Sequence, residues 1–112
     1  MPTYTVKRGD TAPVVTDTLL DGNGAAVSLT GAAVKFHMST WDRVTVVTNA
    51  SATGPNGGAL DITGRVQYAW ASGDVAAAGV YKAEWEVTFA GGKIETWPGD
   101  SYAVVNIPSD LA

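Results

Sequence analysis

Tyr81-Lys82-Ala83-Glu84-Trp85-Glu86-Val87-Thr88-Phe89 is the stretch whose reading decides the fold. Tyr81, Ala83, Trp85, Val87 and Phe89 fall on one side of a two-residue repeat, and Lys82, Glu84, Glu86 and Thr88 fall on the other. Successive side chains of a strand point to opposite faces, so this is a half-buried antiparallel strand over 81–89. A helix would carry charges on every side, which no single core accepts.

Upstream, Asp74-Val75-Ala76-Ala77-Ala78-Gly79-Val80 leads into that strand. Helix formers stand between a possible cap and a stop glycine, which predicts one helical turn near 72–78. Tyr81 then begins a strand two residues before Ala83, which faces the same way. That is the spacing of the tyrosine corner in an immunoglobulin sandwich, where a hydroxyl bonds to backbone a few residues upstream and a cysteine follows two positions later. Ala83 takes the place of that cysteine, and Asp74 is placed to cap the preceding turn through backbone N–H groups. Asp74, Gly79, Tyr81 and Ala83 are therefore the expected fold-determining corner.

Outward from this stretch the two-residue period recurs. Val34, Phe36 and Met38 alternate with Lys35 and His37 over 32–38, and Val66, Tyr68 and Trp70 share a face over 65–71. Further strands are expected at 4–7, 14–20, 44–48, 93–97 and 102–107, where β-branched and aromatic residues gather. Turn residues separate them: Arg8-Gly9-Asp10, Asp21-Gly22-Asn23-Gly24, Gly54-Pro55-Asn56-Gly57-Gly58, Ala90-Gly91-Gly92 and Pro98-Gly99-Asp100. Seven or eight short antiparallel strands at this spacing predict an all-β chain, an immunoglobulin-like β-sandwich forming a single domain over 1–112. The length of 112 residues suits one domain.

Composition narrows function by exclusion. Seven basic residues are scattered against eleven acidic ones, for a net charge of −4. No basic stripe neutralises a run of phosphates or an anionic lipid surface, so neither nucleic acid nor membrane is an expected partner. There is no cysteine, which removes disulfides and thiolate metal sites. No apolar run nears the roughly 20 residues of a membrane span, and the first residues do not read as a secretory leader. The one histidine, His37, has no neighbouring ligand or nucleophile in sequence, so no metal, cofactor or catalytic residue is expected. Asp21-Gly22-Asn23-Gly24 lacks the alternating acids of a calcium loop and reads as turn chemistry. Arg8-Gly9-Asp10 matches a cell-adhesion tripeptide but sits where a turn calls for Gly and Asp. Glu84 and Glu86 are expected on a flat outer strand surface without a cleft. Four tryptophans remain: Trp70 and Trp85 fit the core pattern, while Trp41 and Trp97 stand at strand ends. Trp41, Asp42, Arg43 and Trp97 are the candidate interface, because aromatic residues anchor protein contacts.

Several segments, taken in order, carry a family resemblance. They are Lys7-Arg8-Gly9-Asp10-Thr11, Leu19-Leu20-Asp21-Gly22-Asn23-Gly24, Val27-Ser28-Leu29-Thr30-Gly31-Ala32 and Val34-Lys35-Phe36-His37-Met38. Later come Tyr68-Ala69-Trp70, Gly79-Val80-Tyr81-Lys82-Ala83-Glu84-Trp85-Glu86-Val87 and Gly91-Gly92-Lys93-Ile94-Glu95-Thr96-Trp97-Pro98. The set resembles the N-terminal immunoglobulin-like domain of phage upper baseplate proteins. The resemblance implies structural work in a tailed-phage virion assembled in the bacterial cytoplasm, with other virion proteins as partners, in multiple copies and without enzymatic activity. The sequence stops soon after the last expected strand with no heptad pattern for a stalk, so a stand-alone module on a capsid, tail or baseplate is expected rather than a connector. The alternative is a binding module for host-surface carbohydrate or protein, with Trp41 and the 54–58 loop as its contacts.

Overall fold

The alternation that starts at Tyr81 builds the longest strand of the molecule. In the computed structural model, which describes residues 3–44, 46–71, 73–99 and 102–109, eight strands follow in order. They are β1 (Thr3–Thr5), β2 (Val15–Thr18), β3 (Ala33–Thr40), β4 (Val46–Ser51), β5 (Arg65–Tyr68), β6 (Gly79–Thr88), β7 (Ile94–Trp97) and β8 (Ala103–Ile107). They form a β-sandwich. The large sheet runs β1-β8-β6-β3-β4, with β7 also against β6, and β2 pairs with β5 in the smaller one. Positions 45, 72 and 100, assigned from sequence to a strand, the start of a helical turn and a strand stop, lie outside the described residues.

β6 organises the large sheet. It pairs with the full length of β3, from Ala33↔Thr88 to Thr40↔Tyr81. On its other side β8 pairs with 79–83 and β7 with 85–88, so the last two strands share one edge in succession. The chain leaves β4 and changes layers at Thr53, which exchanges two backbone hydrogen bonds of 2.8 Å with Gln67 of β5. β1 runs parallel to β8, from Thr3↔Val104 to Thr5↔Asn106. This corrects the expectation of purely antiparallel pairing. The first strand docks on the last at the sheet margin, where direction is not dictated by a tight hairpin.

Aromatic side chains join the layers. Phe36 of β3 is fully buried, stacks on Tyr68 of β5 with centroids 5.1 Å apart, and meets Trp85 at 4.8 Å and Trp70 at 5.9 Å. Offset and edge-on ring pairs add roughly 0.5–1.5 kcal/mol each beyond area burial. Val34, Met38, Val66, Ala83, Val87, Val105 and Ile107 complete the interior.

The helical turn expected near 72–78 is not found over the described 73–78, and the only helical element among the described residues is a 3-10 turn at Pro55–Gly57. Three competing bonds explain this. The Asp74 carboxylate accepts from Ala71 N–H (2.8 Å) and from the Tyr68 hydroxyl. The Ala77 carbonyl, which a helix would give to the backbone N–H of residue 81, instead accepts the Tyr81 hydroxyl at 2.8 Å. The Tyr81 backbone is thereby left to the sheet, opposite Val105.

Candidate ligand-binding face

Of the four expected corner residues, Gly79, Tyr81 and Ala83 stand together on β6, while Asp74 is held instead by Ala71 N–H and the Tyr68 hydroxyl. Tyr81 is buried, its ring lies over Gly79, and Ala83 is buried with Met38 and Ala103 as its partners in register. Gly79 has φ +152°, and a Cβ there would stand 3.6 Å from the Tyr81 ring. This corner shapes the fold rather than offering a surface.

The outward residues of the large sheet make a different arrangement. Residues that alternate with the core strip project from β3 and β6 side by side: His37 opposite Glu84, Ser39 opposite Lys82, and Lys35 opposite Glu86. Around them the face is concave, not flat. It encloses about 340 Å3 lined by His37, Ser39, Arg43, Lys82, Glu84, Glu86, Thr96 and Tyr102, with Val46 at the β4 side. Glu84 and Glu86 therefore stand in a cleft that their sequence spacing alone does not reveal. His37 Nε2 lies 3.7 Å from Glu86 Oε1, a diagonal approach too long for a hydrogen bond. That nitrogen is itself buried without a hydrogen-bond partner.

One end of the concavity is aromatic. Trp41 and Tyr102 meet edge to face at 6.0 Å, and the Lys82 ammonium sits over both rings, 4.8 Å and 4.3 Å from their centroids. The ring quadrupoles hold that cation in place. Behind Trp41 the chain reverses through Asp42 and Arg43. The Asp42 carboxylate accepts from the Thr40 hydroxyl (2.6 Å) and from Val44 N–H (3.0 Å). The Thr40 bond first, and then the Val44 bond, hold its carboxyl below the usual carboxylate range. Arg43 takes the left-handed conformation, φ 64°, at the tip of the reversal.

Trp97 does not join this group. It stands opposite buried Trp85 in register, packs edge-on against Phe89, and donates its indole N–H to Leu20 O at 3.0 Å. It closes the gap between the large sheet and the chain leaving β2. The 54–58 loop is also remote from Trp41. It folds as the 3-10 turn beside β5, where Pro55 and Asn56 border a second concavity of about 640 Å3 with Thr16, Asp17, Arg65 and Gln67. The lysine seated between Trp41 and Tyr102 was missed from sequence, since three separate strand ends supply it. The only local signal was an outward Lys82 on the strongest strand.

Chemically the face can accept and donate hydrogen bonds to a polar ligand and can stack one apolar surface. Among the described residues no three His, Cys, Asp or Glu side chains gather as a metal-holding group, and no helix is long and apolar enough to cross a membrane.

Comparison with protein-family models and with curated proteins gives no match. Among solved structures the chain is similar to CopC from Methylosinus trichosporium OB3b, with a TM-score of 0.56 at 12% identity over 100% of this chain and 89% of that one. At that identity the likeness is one of fold alone, and what it establishes is a β-sandwich.

Proposed function

We propose that this chain is a non-enzymatic structural module of a tailed-phage virion, held in multiple copies on a larger assembly of capsid, tail or baseplate. The observation that carries the reading is the outermost strand of the large sheet. β4 reads Val46-Val47-Thr48-Asn49-Ala50-Ser51, with no charge and no proline. Isolated soluble domains blunt such an edge with lysines, prolines or bulges, and here the one irregularity lies at its start, between Met38 and Ser39 of its neighbour. Val46, its first residue, is 66% exposed, and Val44 just ahead of it is 79% exposed. An uncharged edge flanked by exposed valines suits attachment to another protein by strand addition. The ordered resemblance to phage baseplate domains supplies the setting.

Quantitative mass spectrometry of purified particles tests this. The chain is expected at many copies per particle, and Val46→Lys is expected to lower its incorporation at least tenfold with an unchanged melting temperature. Particles lacking the chain, or full incorporation of the variant, would overturn the reading.

A further inference from the structure

Three of the four tryptophans use their indole N–H to tie down the first twenty residues. Trp70 donates to Pro13 O (3.0 Å), Trp85 to Tyr4 Oη (3.1 Å) and Trp97 to Leu20 O (3.0 Å). Trp41 makes no such bond among the described residues and keeps 47% of its surface open. We propose that Trp41 and the concavity beside it form a binding site for a short neutral saccharide, a role independent of whether the chain belongs to a virion.

The chemistry of the walls selects that ligand class. A pyranose ring offers an apolar C–H face and a rim of hydroxyls. Tyr102 lines one end, and Trp41, just outside the lining, meets Tyr102 edge to face and extends that apolar surface. Lys82 is kept there as a fixed donor by the two rings it covers. Glu84, in mid-floor opposite His37, has no hydrogen bond or ion pair among the described residues, so its carboxylate is free to accept from two neighbouring hydroxyls. His37 Nε2 is buried without a hydrogen-bond partner, Glu86 Oε1 standing 3.7 Å away, and is the kind of polar atom that a ligand hydroxyl would satisfy.

Charge decides between saccharide types. Arg43 and Lys82 bring two positive charges to the lining, and Glu84 and Glu86 bring two negative ones. The balance offers nothing net to a phosphate or a polyanion, and the two carboxylates would repel either at contact distance. A neutral, hydroxyl-rich ligand incurs no such penalty. The enclosed volume of about 340 Å3 lies at the small end of the roughly 300–1,000 Å3 typical of small-ligand sites, which suits one or two rings rather than a long chain.

The test uses the full chain on a printed array of neutral hexose and N-acetylhexosamine oligosaccharides beside uronate-containing ones, followed by amide shift mapping with the oligosaccharide that gives the strongest signal. Neutral oligosaccharides are expected to bind, with shifts gathered at Trp41, His37, Lys82, Glu84 and Tyr102. Trp41→Ala is expected to weaken binding at least tenfold, and Glu84→Gln by a smaller factor, both in chains that keep the parent's circular-dichroism spectrum. Glu84→Gln is expected to enter particles normally, which separates this site from the attachment edge. An array without signal, binding confined to uronates, shifts centred on Arg65 and Gln67, or a Trp41→Ala chain that binds as before would each overturn the proposal.

Discussion

Trp85 donates its indole hydrogen to the phenolic oxygen of Tyr4 at 3.1 Å, and Tyr4 in turn donates its own hydroxyl hydrogen to Asp17. The relay begins at the most deeply buried tryptophan of β6, passes through β1 and ends on β2. It therefore bridges the two sheets at the side where no strand connects them. Tyr4→Phe keeps the ring but removes the middle of the relay, leaving the Trp85 donor buried and unsatisfied. Such an orphan costs roughly 1–3 kcal/mol. The expected loss is about 2 kcal/mol in urea unfolding, with a shift in tryptophan emission. A variant within 0.5 kcal/mol of the parent would show that the relay contributes nothing.

Tyr81→Phe should cost less. The carbonyl that loses its partner belongs to Ala77, on an exposed turn where water can replace the hydroxyl. The expected destabilisation is about 1 kcal/mol, the net worth of an ordinary hydrogen bond. Thermal unfolding of the two phenylalanine variants side by side checks the order: Tyr4→Phe below Tyr81→Phe.

Alkaline stability follows from Tyr68. Burial first, and then its bond to the Asp74 carboxylate, push the phenol up from the ordinary 10.0 to about 12. Tyr4 is raised as well, by burial and by Asp17. A phenol whose value is raised in the fold contributes stability that is whole below pH 10 and is lost as pH climbs through about 12. Spectrophotometric titration should show part of the phenolate absorbance appearing late, together with unfolding. Complete ionisation of all four tyrosines near pH 10 in a folded chain would contradict this.

The turn at 54–58 is expected to be intolerant of even one added carbon. A Cβ on Gly54 would lie 2.0 Å from Ala59 O, and backbone cannot swing aside as a side chain does. Gly54→Ala should destabilise by about 3 kcal/mol, the upper part of the overpacking range. Gly91→Ala, where nothing lies within 4 Å, should stay within about 0.5 kcal/mol. Calorimetry on the pair isolates the clash from the general effect of losing a glycine.

The strands were legible in the sequence because each carries its own alternation. Tyr81 to Phe89 needs no distant information, and the eight expected segments match β1 to β8 with ends shifted by at most three residues. The turn before β6 was misread because Val75 to Ala78 looks helical locally. Its outcome depends on the Tyr81 hydroxyl, which donates to the Ala77 carbonyl, and on the Asp74 carboxylate, which accepts from Ala71 N–H. The concave outer face of β3 and β6 was the least legible part. Trp41 was visible as a leftover aromatic, but its meeting with Lys82 and Tyr102 depends on β3, β6 and β8 lying side by side in the observed register. Trp97 shows the converse. Its position at a strand end resembles that of Trp41, and only the pairing with Trp85 turns it inward.

The parallel docking of β1 on β8 has a geometric result for anything joined to this fold. Thr3 enters beside Val104, and Ile107 leaves beyond the far end of the same pair. A polypeptide attached ahead of the first strand and another attached after the last would project from opposite poles. Copies strung on one chain would then line up head to tail like beads on a thread.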